Sequence, residues 1–242
     1  FSRAIVNRVW ANFYGVGLVV NVDDLRVTNP SSNEKLLSAT AKHLADQKFD
    51  LKALMRTMLQ SETYQRSSQA LPENAADTRF YSRYYPRRMM AEVMLDAFSE
   101  ATGTPTAFKG YPMGWRAIQL PDANVDSYFL KSFGRPERSV TCECERTADP
   151  SVTQILHISN GDTLNQKLTA KENRINKLLK DFASTGDLVD EIYLSTLSRP
   201  PGEQEKARIM KILNTAPDAE KRAAIEDVFW AILSSKEFLF NH

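Results

Sequence analysis

The sequence is poor in the residues that announce chemistry. Two cysteines and three histidines stand in 242 residues, so there is no second cysteine pair to complete a thiolate metal site. Two cysteines neither mark nor exclude an oxidising compartment. No Cys-x-x-Cys-His motif is present, so no haem is attached within this piece, and no other cofactor motif appears. No run of eighteen apolar residues exists, which excludes a transmembrane helix. Gly15-Val16-Gly17 lacks both the preceding strand and the further glycines of a phosphate-cradling loop. Repeats of 20 to 50 residues and low-complexity tracts are missing too. Excess charge of one sign is absent: 31 basic against 30 acidic residues leave a net charge of +1, giving no reason to expect nucleic acid or an anionic membrane as partner.

What is present is ordinary globular material, 42% hydrophobic and 25% charged. Apolar spacing at i, i+3, i+4 and i+7 recurs along most of the chain, and it sets the expected fold class: mainly α, a multi-helix single domain of roughly eight to ten helices over residues 1–242. Ser2 to Tyr14 carries Ile5, Val9 and Phe13, with Val6 and Trp10 widening the stripe. Leu36, Leu37, Thr40, Ala41 and Leu44 follow Ser31-Ser32, and Leu51 to Leu59 follows Asp50, a good N-cap. Tyr81, Tyr84 and Tyr85 read as tyrosines packing a helix start, in preference to an aromatic and basic nucleic-acid patch. Met90, Val93, Met94, Ala97, Phe98 and Ala101 predict one buried face, with Glu92, Asp96 and Glu100 opposite in solvent. Further helices are expected at 173–182, from Gly186, at 203–214 and from Pro217, with Ser234-Ser235 capping a last turn. The chain opens at Phe1 on an amphipathic pattern and is expected to be a piece of a longer protein.

Residues 104–145 break this texture. Pro105, Pro112, Pro121, Pro136, Gly110, Gly114 and Gly134 exclude a long helix, and short strands are expected near Ala117 to Leu120 and Tyr128 to Leu130. A strand-and-loop insert this long is often functional. Exposed Trp115 and Tyr128 could stack on a sugar, or could pin the loop to the helices.

The stretch from Val140 to Lys167 concentrates the candidate chemistry. Val140, Cys142 and Cys144 alternate with Thr141, Glu143 and Glu145, a strand signal with an acidic outer face. Asp149-Pro150 then reads as a helix start, with Val152, Ile155, Leu156 and Ser159 facing inward, and Asn160-Gly161 ends it. Cys142 and Cys144 are two buried thiols by default; a metal site with His157 or a strained disulfide are the alternatives. Glu143, Glu145, Arg146 and His157 are the catalytic candidates, as an acid/base pair with an arginine to hold an anion. Their structural reading is a solvated ion-pair cluster, with His157 bonded to a buried acid. Asn160 and Asp162 join Trp115 and Tyr128 as ligand-binding candidates. Together these polar groups are expected to floor a polar cleft.

Several segments carry a resemblance that runs the length of the chain: Phe1-Ser-Arg-Ala-Ile-Val-Asn-Arg-Val-Trp10, Gly15-Val-Gly-Leu-Val19, Asp50-Leu51-Lys52, Tyr85-Pro-Arg-Arg88, Cys142-Glu-Cys-Glu-Arg146, Leu197-Ser-Arg-Pro200 and Ser235-Lys-Glu-Phe-Leu-Phe240. In these the sequence resembles the planctomycete and verrucomicrobial C-terminal domain of unknown function. The resemblance implies an accessory or interaction domain of an exported protein, periplasmic or in the cell envelope. It further implies cytochrome c-like domains upstream as partners and as the place for any haem, and a setting of sulfated polysaccharide utilisation with glycan as a possible ligand. The family carries no established catalytic residues onto this chain. A hydrolase-type or metal-dependent site around Glu143, Glu145, Arg146 and His157, or a carbohydrate-binding module, are the alternatives.

Overall fold

A computed structural model describes residues 1–121, 124–139, 146 and 151–241. The chain is mainly α-helical, and its only sheet among these residues is a pair of two-residue strands, β1 (Arg87–Arg88) and β2 (Phe240–Asn241). It divides into two compact units, residues 1–87 and 88–241, each with its own hydrophobic core.

The first unit packs α1 (Ser2–Tyr14), α2 (Glu34–Asp46) and α3 (Leu51–Leu59). Asn33 and Asp50 cap α2 and α3 through their side chains, each satisfying an amide the helix leaves unpaired. Gly15 closes α1 at φ 82°, a conformation that favours glycine. Asn7 is fully buried inside α1, yet both its polar atoms are used: Nδ2 donates to the Val19 carbonyl at 3.0 Å and Oδ1 accepts from the Val19 amide at 2.9 Å. Tyr81 and Tyr84 do not begin a helix. They are buried in this core, their hydroxyls donating to the carbonyls of Val16 and Phe13, so main-chain acceptors in a loop-and-helix junction decide their place.

The second unit is built on α4 (Ala91–Thr102), α5 (Tyr128–Ser132), α6 (Val152–Asn160), α7 (Asp162–Thr169), α8 (Arg174–Asp181), α9 (Thr185–Leu197), α10 (Glu203–Thr215), α11 (Lys221–Leu233) and α12 (Lys236–Leu239). Twelve α-helical segments among the described residues exceed the eight to ten expected, because short ones such as α5 and α12 are held by caps (Ser127, Ser235) where periodicity is too brief to see.

Three expectations are corrected here. The segments around Ala117 and Tyr128 are not strands: Ala117–Gln119 is a 3₁₀ turn and Tyr128 opens α5. Asp96 dictates the first, its carboxylate accepting the Ala117 and Ile118 amides at 2.6 and 3.1 Å. On α4, Met94 and Phe98 are buried as expected, but Met90 is 42% exposed and Val93 and Ala97 are only half-buried; Glu92 and Asp96 are buried instead. On α6, Val152, Ile155 and Leu156 are 72%, 61% and 56% exposed, and the buried residue is Gln154. Its amide donates to Ser132 O at 3.0 Å while its carbonyl oxygen accepts from Ser151 N and from Arg88, and this polar anchor turns the apolar stripe outward. Ser151 caps α6; Asp149, the cap expected from the sequence, lies outside the described residues.

Candidate functional site

Of the four catalytic candidates, Arg146 and His157 are described; Glu143, Glu145, Cys142 and Cys144 lie outside the described residues, as does the 140–145 strand. Arg146 forms a fork on Glu92 of α4, with Nη1 at 2.9 Å and Nη2 at 3.0 Å from the two carboxylate oxygens. Arg135 adds its Nε at 3.7 Å from the same carboxylate. Burial pushes the Glu92 carboxyl up, but the Arg146 hydrogen bonds and the charges of both arginines outweigh it and leave Glu92 below the usual carboxylate range. A buried acid held by two arginines stays ionised and keeps its charge engaged inside the protein.

Among the described residues, His157 is not paired with a buried acid. Its Nε2 lies 2.9 Å from the Thr163 hydroxyl, and the rings of Tyr128, Phe129 and Phe133 surround it at 5.3 to 6.0 Å. Thr163 follows one turn on, where the break at Gly161 folds α7 back past the ring; a hydroxyl is simply the nearest partner the local chain supplies. Burial lowers the His157 pKa, and the Asp162 charge opposes this only in part. Asn160 ends α6 exposed, and Asp162 opens α7. Among the described residues no group of three or more His, Cys, Asp or Glu is placed to hold a metal ion.

Among the described residues, two clefts of the second unit hold the aromatic candidates. One, of about 520 Å³, is lined by residues 124–128, Leu130, Lys131 and 135–137. Tyr128 stands on it 63% exposed, beside Asp126, Lys131 and Glu137. The other, of about 410 Å³, is lined by Asp96, Ser99, Glu100, Thr106, Trp115 and Arg116 among others. Trp115 is 37% exposed and tilts against Tyr111, ring centres 5.1 Å apart. The two aromatic candidates therefore serve separate clefts.

Hydrogen-bonded to Ser99 and Thr106, two residues that line the second cleft, is a residue missed in the sequence. Lys167 is 6% exposed, and its Nζ lies 3.0 Å from Ser99 Oγ, 2.9 Å from Thr106 Oγ1 and 2.6 Å from the Thr104 carbonyl. Burial brings its pKa down to about 8, opposed by the negative charge of Asp96. The signal was available: Leu164, Lys167 and Leu168 share one face of α7, so a lysine interrupts an apolar stripe.

No curated protein and no solved structure matches the chain. Residues 1–213 match the family described as PSD1, protein of unknown function (DUF1553). The chain thus belongs to that family, the planctomycete C-terminal domain of unknown function.

Proposed function

We propose that this is an accessory interaction domain whose 104–145 insert docks a glycan, within an exported, cytochrome-linked protein serving sulfated polysaccharide utilisation. Upstream domains of the same longer chain are its other partners, and any haem resides there. The family membership supports the setting, since this is the environment the sequence resemblance implies. The observation that carries the docking role is Tyr128, an aromatic ring 63% exposed over a cleft whose rim bears Asp126, Lys131 and Glu137. A ring face takes the apolar side of a sugar, side-chain carboxylates and amines take its hydroxyls, and Lys131 can pair with a sulfate ester. Arg146 and His157, already engaged with Glu92 and Thr163, favour this reading over a hydrolase built on them.

The test is calorimetric titration of the folded chain with a panel of sulfated and desulfated oligosaccharides, alongside Tyr128→Ala and Lys131→Ala. Binding by the parent, abolished in Tyr128→Ala and losing its preference for sulfate in Lys131→Ala, is expected. A parent that binds no member of the panel, or a folded Tyr128→Ala variant that binds equally well, sinks the glycan role.

A further inference from the structure

We propose that Ser99 and Lys167 form a hydroxyl–amine pair that performs acyl transfer on carboxylic esters admitted by the Trp115–Arg116 cleft. This goes beyond the docking role and stands independently of it, at a different cleft.

The geometry meets the requirements of a serine activated by an amine: nucleophile and base within hydrogen-bond reach, and the base oriented by further groups. Ser99 lines the cleft and its Oγ is 3.0 Å from Lys167 Nζ. A neutral amine has two protons and one lone pair. Here two acceptors other than Ser99 are in place, the Thr104 carbonyl at 2.6 Å and the Thr106 hydroxyl at 2.9 Å. They take the two protons, which leaves the lone pair facing Ser99. In the charged form the third proton points at Ser99 Oγ, whose own hydrogen goes to the Leu95 carbonyl at 2.9 Å. Thr104 and Thr106 are thus positioning residues, and the same framework accepts both protonation states without moving.

The environment favours the exchange. Lys167 is buried, and desolvation brings it into the range where an amine can act as base near neutral pH. Asp96 of α4 is the charge that acts on it; further off, Glu100 and Arg116 lie along the cleft, Arg174 of α8 donates to the Glu100 and Ala101 carbonyls, and Arg222 of α11 donates to the Ala170 carbonyl after α7 and pairs with Glu226. Asp96 is held by two amides and lies 3.6 Å from the Arg116 Nε, so its charge is partly answered. Arg116 is the cation available on the cleft for a carbonyl oxygen that gains negative charge.

In the step itself, Ser99 Oγ bonds to the ester carbonyl carbon as its proton passes to Nζ. The carbon–oxygen bond to the alcohol breaks as Nζ returns that proton to the departing oxygen, leaving the acyl group on Ser99. Water then adds to the acyl carbon, its proton taken by Nζ and returned to Ser99 Oγ, and the carboxylic acid leaves. No oxidant or reductant is needed.

The experiment is labelling of the folded chain with a fluorophosphonate probe, located by peptide mass spectrometry, together with p-nitrophenyl acetate hydrolysis from pH 6 to 10. Covalent label on Ser99, and a rate rising with a midpoint near 8, are expected. Ser99→Ala should lose the label. Lys167→Arg, which keeps a hydrogen-bonding cation but cannot become a neutral base in this range, should lower the rate by about 10²-fold or more. Absence of label on Ser99 in the folded parent overturns the proposal. So does a folded Lys167→Arg variant that labels as fast as the parent. Glycan binding at Tyr128 is measured separately, so failure at one cleft is distinct from failure at the other.

Discussion

Arg199 holds Glu237 with two parallel hydrogen bonds, Nε at 2.6 Å and Nη2 at 2.8 Å from the two carboxylate oxygens. The same guanidinium forks onto Glu205 at 2.8 and 3.0 Å and lies 5.3 Å from the centre of the Tyr193 ring. One arginine therefore ties the turn after α9 to the start of α10 and to α12. Leu197-Ser-Arg-Pro200 and Ser235-Lys-Glu-Phe-Leu-Phe240, two segments that carry the family resemblance, meet in this single contact.

Arg199→Ala should cost about 1–2 kcal/mol, the value of charge-assisted bonds discounted because all three side chains are about a third or more exposed. Arg199→Lys should recover only part of it, since an ammonium cannot fork onto two carboxylates at once. Glu205 is held down to about 2, by Arg199 first. A carboxyl lowered in the folded state stabilises above its unfolded value and loses that contribution as pH falls toward about 2. Urea midpoints of the three proteins at pH 7 and pH 3 check both statements, with the differences shrinking at the lower pH.

Phe98 and Met90 give a paired prediction on α4. Phe98 is 1% exposed, stacked on Phe238 at 5.4 Å and edge-on to Phe129 at 6.0 Å, so Phe98→Ala should cost about 3–5 kcal/mol. Met90 is 42% exposed, so Met90→Ala should change stability by no more than about 0.5 kcal/mol. Equal losses by denaturant unfolding would contradict the face assigned to this helix.

That face shows what a sequence can and cannot reveal. Leu37, Ala41 and Leu44 of α2, and Ile225, Val228, Phe229 and Ile232 of α11, repeat at helical spacing, and all are buried. Hydrophobic periodicity is local information, and wherever apolar burial alone decides a helix's orientation it suffices. Glu92 and Asp96 defeat it because their partners are remote. Arg146 is 54 positions from Glu92, and the amides of Ala117 and Ile118 are 21 and 22 from Asp96. The outward stripe of α6 has the same origin: Gln154 is anchored to Ser132 and Arg88 across 22 and 66 positions. Lys167 was visible as an anomaly on its helix, but nothing local named Ser99, 68 positions away, as its neighbour.

Arg146→Ala should destabilise by about 3 kcal/mol, because it leaves the carboxylate of Glu92, 9% exposed, with Arg135 at 3.7 Å as its remaining ion-pair partner among the described residues. Glu92→Gln in the same background should restore part of the loss, since a neutral amide needs no counter-charge. A double-mutant cycle measured by urea unfolding gives the coupling, and a cycle that closes to zero would mean the pair is worth nothing.

Lys167 leads to a prediction with the same sign as ordinary acid denaturation, stability rising with pH, but in the alkaline range. Its pKa falls from 10.5 in the unfolded chain to about 8 in the folded one, chiefly through burial. Between those values the unfolded chain holds the proton and the folded chain has released it. Stability rises with pH wherever the unfolded state binds more protons. The Lys167 contribution should therefore increase from pH 8 to pH 10.5, with a slope approaching about 1.4 kcal/mol per pH unit for one proton. Tyr81, raised to about 12 by burial, sits in the other unit and titrates higher, so its effect adds little across this window. The two can be separated by comparing wild type with Lys167→Met and Lys167→Arg. Methionine has no proton to lose and arginine keeps its own throughout, so both variants should lack the rise that wild type shows. Parallel curves for all three proteins from pH 8 to 10 would mean that Lys167 keeps its proton in the folded state, and that its three hydrogen bonds outweigh the cost of burying the charge.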